Sequence, residues 1–281
     1  MKLAIIILHF GNIEDSLGCI ESIKKSDFPK ERLKIILVNN DLNLISGSRI
    51  KSGMTQIQII NNSKNLGFAK GMNVGIKEAL SDKDVSDILL LNNDTVLEKN
   101  TLSKLMDRKE EIVSPIIKFR FGNIWKYDYG GKINWLIGRP FHVELTTYNQ
   151  HPTTRIDYVS GCSMRIKRKV FETIGLLDER FFFYFEDVDF CIRTKDAGFN
   201  IAVSTDTYIT HKLSAGIGRW SNKAIYYNLT SNAKFIQKHL GMRRPIGFVY
   251  LFLLGIKIVW NKCGTKCGTS LKRSDLFKVG P

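Results

Sequence analysis

The densest concentration of chemistry in the 281-residue sequence is Phe181-Phe182-Phe183-Tyr184-Phe185-Glu186-Asp187-Val188-Asp189-Phe190, where five aromatics run into three acids within four residues. A carboxylate beside apolar walls resists ionisation, which moves it toward general-base duty near neutral pH. The same acids in the first turn of a helix complement its dipole, a purely structural role. Glu186 and Asp189 stand three apart and share a helical face, so Asp187 is expected to point elsewhere and the three to divide their labour. A second candidate is Leu89-Leu90-Leu91-Asn92-Asn93-Asp94-Thr95, an apolar run ending in a carboxylate. Asp94 is placed to hold a hard divalent cation that bridges phosphates, although Asn-Asp-Thr is also good turn chemistry. His211 ends another strand-like stretch and is a candidate third element of such a site. Finally, Gly67, Gly71 and Gly75 recur every four residues. That spacing lines one helical face and permits close approach to a sheet or ligand, and the helix N-terminus offers N–H groups to an anion.

These residues need elements to hold them. Residues 3–8, 33–38, 56–60, 87–91 and 112–118 read as strands, and 12–25, 69–80 and 98–108 as helices. Buried runs separated by helical segments predict a mostly parallel sheet covered on both faces, with ligands beyond the carboxyl ends of its strands. Residues 119–154 alternate glycines and aromatics, as an irregular hairpin-rich insertion does. Regular structure is expected again at 156–167, a helix at 188–197, and two strands at 200–203 and 207–211. An amphipathic helix is expected over 221–239, with Ile225, Leu229, Ala233 and Ile236 on one face.

Charge and composition narrow the partners. The chain carries 42 Lys and Arg against 27 Asp and Glu, a net charge of +15, which points toward phosphate. No helix-turn-helix, zinc-finger or RNA-binding aromatic signature accompanies that charge, so nucleic acid is not an expected partner. The cysteines (Cys19, Cys162, Cys191, Cys263, Cys267) are odd in number and scattered, which argues against a secreted disulfide scaffold. The N-terminal apolar run lacks a cleavage site and reads as a first buried strand, so a cytoplasmic location is expected. Residues 246–260 form a 15-residue apolar stretch interrupted by Lys257, short of the roughly 20 needed to cross a bilayer. From residue 243 onward, Arg243, Arg244, Lys257, Lys262, Lys266, Lys272, Arg273 and Lys278 face Asp275 alone, a pattern suited to attachment at an anionic membrane surface.

Taken together, the segments resemble the inverting family 2 glycosyltransferases, particularly their bacterial rhamnosyltransferase-like branch. The resemblance rests on Asn65-Leu66-Gly67-Phe68-Ala69-Lys70-Gly71-Met72-Asn73-Val74-Gly75, Leu90-Leu91-Asn92-Asn93-Asp94-Thr95 and Ser160-Gly161-Cys162. It continues through Gly175-Leu176-Leu177-Asp178-Glu179-Arg180-Phe181-Phe182, Tyr184-Phe185-Glu186-Asp187-Val188-Asp189 and His211, in the family's order over about residues 1–215. It implies a GT-A fold, an α/β architecture with a Rossmann-like mostly parallel sheet, here followed by a C-terminal helical extension. It also implies a nucleotide-diphosphate sugar donor, a divalent cation (Mg2+ or Mn2+) and a glycan or lipid-linked acceptor.

Carried over by position, Asp94 matches the metal-binding carboxylate, with Asn92 in the motif's first acidic place, and His211 completes the metal site. Asp187 matches the catalytic base and Glu186 the residue that positions the acceptor. The donor is expected against His9, Asn12, Asn39, Asn65, Gly67, Asn73, Asn92 and Asn93, and the acceptor against Gly161, Cys162 and Glu186. Asn39 departs from the pattern, standing where the family usually carries an acid that reads the nucleotide base. Residues 1–118 are then the donor half, 119–215 the acceptor and catalytic half, and 216–281 a basic, membrane-associating region at the cytoplasmic face. The contrasting expectation is a degenerate GT-A scaffold that binds phosphate, lipid surfaces or nucleic acid without catalysis. Oligomeric state, donor sugar and linkage are not legible in the sequence.

Overall fold

In a computed structural model, residues 1–43, 57–148, 155–213 and 221–266 are described, with 261–266 as backbone only. The side chains of Lys262, Cys263 and Lys266, and all of Cys267, Lys272, Arg273, Asp275 and Lys278, lie outside the described residues.

The first strand, β1 (Lys2–His9), pairs in parallel with β2 (Leu33–Asn39) on one side and β4 (Val85–Asn92) on the other, and β2 pairs with β3 (Ile57–Asn61). Ile5 and Ile7 of β1 join one buried cluster, with Leu37, Leu89, Ile20 and Leu102, while Ile6 and Leu8 join another, with Val38, Met72 and Phe190. Alternate residues of one strand thus meet helices on opposite faces, which is why the runs read as uninterruptedly apolar. Helices α1 (Ile13–Lys24) and α3 (Thr101–Met106) cover one face; α2 (Phe68–Ser81), α4 (Arg168–Ile174) and α5 (Glu186–Asp196) cover the other.

Beyond β4 the sheet continues through β9 (Ser163–Lys167), β6 (Ile112–Phe121), β10 (Ile201–His211) and β5 (Thr95–Leu97). Along this path β9 and β5 run against the common direction, while β1, β2, β4 and β10 all end at one edge. A hairpin of β7 (Ile124–Asn134) and β8 (Arg139–Leu145) extends from β6, as the glycine–aromatic texture foretold.

Several expectations are corrected. The two strands expected at 200–203 and 207–211 are the single strand β10, whose pairing with β6 shifts register between Ser204 and Tyr208; that irregularity broke the sequence pattern. Residues 95–97, where no strand was expected, form β5, and the expected helix over 98–108 shortens to α3. Helix α4 was not foreseen, its seven residues being too few to show a period.

Two C-terminal helices, α6 (Asn222–His239) and α7 (Arg244–Lys266), pack on the hairpin and on α5. Ser221 caps α6 by accepting the Ala224 N–H at 3.1 Å. The buried face of α6 is Ala224, Ser231, Asn232, Phe235 and Ile236; Ile225, Leu229 and Ala233 flank it, because Ser231 and Asn232 find buried partners in the Phe183 and Gly138 carbonyls.

Candidate active site

The sheet edge collects the polar residues expected there. His9 ends β1 with Nδ1 2.7 Å from Ser16 Oγ, and Asn93 Nδ2 donates to the same hydroxyl at 3.1 Å. Burial holds His9 below the ordinary imidazole range, keeping it neutral. Asn12 caps α1, accepting the Glu14 N–H at 3.1 Å. Asn39 is fully buried and donates to Asn61 Oδ1 and the Asn43 carbonyl, both at 2.8 Å. Its amide therefore ties β2 to β3 and the following loop. Its neighbour Asn40, which the sequence did not single out, accepts from the Leu66 N–H and donates to Asn65 Oδ1 and the Gly67 carbonyl.

That knot fixes the start of α2. Leu66 N–H goes to Asn40, Gly67 N–H to Asn65, and Phe68 N–H to the Phe182 carbonyl at 2.7 Å, so these three donors are already engaged. Gly67 has φ +80, and a Cβ there would strike Phe182; Gly71 and Gly75 bring α2 onto Leu8 and Ile6 of β1. The glycine stripe is a packing device. Asn73, buried in α2, donates to the Leu177 carbonyl and Glu179 and accepts the Leu177 N–H, so it holds the loop ahead of the aromatic run.

Asp94 follows β4 and is buried, and His211 ends β10 with Nε2 3.0 Å from Asp94 Oδ1. The His211 Nε2 nonetheless lacks hydrogen-bond alignment, leaving a buried ring nitrogen unsatisfied. A carboxylate oxygen and an unsatisfied imidazole nitrogen converging at the sheet edge fit a divalent cation that takes its remaining ligands from phosphate oxygens and water. Among the described residues no cluster of three or more His, Cys, Asp or Glu forms a complete metal cage.

The carboxylates sit across a short connection. Gly161 donates its N–H to Asp187 Oδ2 at 2.8 Å, while the adjoining Cys162 carbonyl accepts the Asn92 N–H at 2.9 Å. One dipeptide therefore touches both the base candidate and the strand end that carries Asp94. A Cβ on Gly161 would lie 3.2 Å from Asp187 Cβ, a tight contact that would press on the carboxylate. Neither Gly161 nor the buried Cys162, both expected against the acceptor, lines the cavity that Glu186 and Asp187 border; Gly161 acts on it through Asp187.

Asp187 Oδ1 accepts the Val188 N–H at 2.8 Å, so both its oxygens are held by backbone donors. Burial pushes the Asp187 carboxyl above the usual aspartate range, against the pull of those bonds and of His142. Glu186 is buried, its Oε2 has no partner, and burial beside Asp187 raises it well above the glutamate range. Burial thus favours the protonated form of Glu186, whereas Asp187 has the donors that stabilise an anion.

The expected sharing of a face by Glu186 and Asp189 is corrected. Glu186 and Asp187 both line a cavity of about 500 Å3 bounded by the β7–β8 hairpin, the aromatic turn and α7. Asp189 turns away to Arg193 (2.8 Å), Lys238 (2.6 Å) and His239 (2.7 Å). Burial would raise Asp189, but these partners overturn it and hold the carboxyl low, clamping α5 to α6. The turn itself is strained: Tyr184 and Phe185 have φ of 68° and 72°, left-handed values that cost non-glycine residues about 1–3 kcal/mol each. Phe182 stacks on Tyr227 at 4.7 Å and Phe185 packs on Phe235 at 5.5 Å, so α6 holds that turn in place.

A family model for "Glycosyl transferase family 2" matches residues 4–175. The chain belongs to that family. A low-salt glycan biosynthesis hexosyltransferase, Agl10 of Haloferax volcanii, is 27% identical over 205 residues, covering 71% of this chain and 63% of the relative. The rhamnosyltransferase WbbL of Escherichia coli is 22% identical over 249 residues, 83% of this chain and 92% of the relative. Among solved structures, GalNAc-T7 with UDP, GalNAc and Mn2+ aligns at a TM-score of 0.64 and 15% identity, over 83% of this chain and 48% of that one. S. aureus TarS (1–349) in complex with UDP-GlcNAc aligns at 0.54 and 16%, over 86% and 69%. The chain thus spans less than two thirds of the Haloferax relative and about half of GalNAc-T7. The fold is GT-A, with a C-terminal helical extension. The family match ends at residue 175, before Glu186, Asp187, His211 and both C-terminal helices.

Proposed function

We propose that this chain is an inverting, metal-dependent glycosyltransferase that moves a sugar, with rhamnose a leading candidate, from a nucleotide-diphosphate donor to a hydroxyl of a glycan or lipid-linked acceptor. The observation that carries the reading is the Gly161-Cys162 connection, which binds the Asp187 carboxylate on one side and the strand leading to Asp94 on the other. Residues 1–118 would supply the donor side and 119–215 the base and most of the acceptor side, with Asn228 and Asn232 of α6 and Tyr250 and Leu254 of α7 closing the cavity.

Asp94 and His211 would hold Mg2+ or Mn2+ at the sheet edge. Such a cation, when bound, neutralises the charge that builds on the departing diphosphate. The neutral Glu186 carboxyl, with its unpartnered oxygen, hydrogen-bonds and orients the acceptor. Asp187 takes the acceptor's hydroxyl proton as that oxygen bonds to the anomeric carbon. The bond from that carbon to the phosphate oxygen breaks on the opposite face, and the diphosphate leaves with the electron pair. One displacement inverts the configuration and needs no protein nucleophile, unlike the two-carboxylate chemistry common in sugar hydrolysis.

The surface beyond the cavity supports a lipid-bound setting in surface-glycan synthesis, such as lipopolysaccharide or capsule, at the cytoplasmic face of a membrane. Helix α7 exposes Phe248, Val249, Phe252, Leu253, Val259 and Trp260, with Arg243, Arg244 and Lys257 beside them. Among the described residues no helix is long and apolar enough to cross a membrane, so the proposed contact is peripheral.

A panel of nucleotide sugars, assayed for turnover and thermal stabilisation with and without Mn2+, tests the reading. Metal-dependent turnover of one donor is expected. Stabilisation without any turnover would instead identify a scaffold that only binds phosphate.

A further inference from the structure

Two titratable groups near the base take no part in the reaction above. Asp128 on β7 is buried, and His142 on β8 lines the cavity with Glu186 and Asp187. Asp128 Oδ1 accepts the Gly130 N–H at 2.9 Å, and its Oδ2 lies 2.8 Å from His142 Nδ1. A bulge builds this pairing. The β7–β8 register shifts between Asp128 and Gly131, setting Gly131 opposite His142. A Cβ on Gly131 would fall inside the Tyr158 ring, and the His142 ring packs edge-on against that same tyrosine at 5.4 Å. Behind the imidazole stands a carboxylate already fixed by the backbone; in front of it is the cavity.

We propose that Asp128 and His142 form a positioning pair for the base, in which Asp128 fixes an imidazolium in the acceptor-side wall and that charge keeps Asp187 ionised. The inference rests on the assignment of Asp187 as base and adds what sustains it. Of the other charged groups lining the cavity, Arg139 is engaged by Tyr250, its guanidinium carbon 5.8 Å from the ring centre. Glu186 on the same helix, Tyr158 from the connection before β9 and Cys191 farther along α5 are all pushed upward by burial and stay neutral. Lys126 and Glu144 on the hairpin pair with each other at 2.5 Å. Burial would lower His142, but the Asp128 charge and hydrogen bond, with a smaller contribution from Asp187, overturn it and push the imidazole up to about 9. Its charge in turn pulls Asp187 down. Such a fixed charge acts most strongly once donor and acceptor have displaced water.

Carboxyl-13C NMR titration of Asp187, its resonance identified by loss in Asp187→Asn, tests the pair without needing turnover. Replacing the half-exposed His142 by Gln should raise the Asp187 midpoint by about one pH unit, the order expected for losing a unit charge at a partly buried distance. His142→Lys, which keeps the charge, should return it to within about 0.3 pH units of wild type. In Asp128→Asn the His142 midpoint should fall from about 9 toward its ordinary 6.5. An Asp187 midpoint unmoved by His142→Gln, or raised equally by Gln and Lys, overturns the proposal. In the active enzyme the acid limb of kcat/KM should move with the NMR midpoint. A responsive Asp187 with an Asp187→Asn variant that still turns over would remove the base assignment and leave the electrostatic pair standing; a working base indifferent to position 142 would remove the pair alone.

Discussion

After β2 the polar side chains are amides bonded to one another, buried Asn39 and Asn40 tied to Asn61 and Asn65, while across the Gly161-Cys162 connection they are carboxylates set against aromatic and aliphatic surface. Asn39, Asn40, Asn61 and Asn65 use their groups within the wall they form. Glu186 keeps a buried oxygen without a partner, and Asp187 stays partly open to the cavity. Satisfied neutral groups cost little to bury and make a rigid frame; a buried acid costs several times more and is shifted in its titration as a result. The proposed donor side is thus built for shape and the proposed acceptor side for chemistry.

The largest effect that would break this contrast belongs to Asp187. Asp187→Asn should cut transfer by about 10^2–10^4-fold while nucleotide-sugar binding, followed by thermal shift, stays near wild type; retained turnover would refute the base. On the other wall, Asp94→Ala should weaken metal-dependent donor binding by roughly tenfold or more, read as a displaced Mn2+ titration. Glu186 sharpens the comparison through pH. The folded chain keeps a proton on Glu186 that the unfolded chain releases above its ordinary 4.5, so folding loses free energy as pH rises past that value. Glu186→Gln should accordingly melt above wild type at pH 8, by roughly a few degrees, with the gap closing toward pH 4. Gly75→Ala is a frame test: its Cβ would lie 2.5 Å from an Ile6 methyl, and overpacking should cost about 1–3 kcal/mol in denaturant melts without changing the pH profile. The smallest effect on chemistry is expected of Phe252→Ser with Val259→Ser on exposed α7, which should leave turnover of a soluble acceptor unchanged and reduce sedimentation with anionic vesicles. Deleting α7 is a poorer test, because Tyr250 and Leu254 line the cavity itself.

Much of the frame was legible. The apolar runs gave β1, β2, β4 and β6 because strands buried on both faces carry no alternating pattern to misread. The acids after the aromatic run and the strand-end Asp94 were identified by type and place, since few other roles gather such residues. What stayed hidden depends on pairs distant in sequence. Asn39 and Asn40 are adjacent and alike, and only the strand's alternation decides which ties β2 to β3 and which knots the turn before α2. Asp128 and His142 meet through a bulge whose only sequence trace is Gly130-Gly131, and Asp189 looked like Glu186 until Lys238 and His239 arrived from α6. The left-handed pair Tyr184–Phe185 carried no glycine or asparagine to announce it.

That pair has a bearing on how such enzymes diversify. The aromatic turn is braced in its unfavourable shape by a helix some forty residues downstream, in a stretch the family match does not reach. Drift in that distal helix would therefore re-aim the proposed proton acceptor without altering a single residue of the recognisable motifs, and sequences that look interchangeable by signature would then serve different recipients.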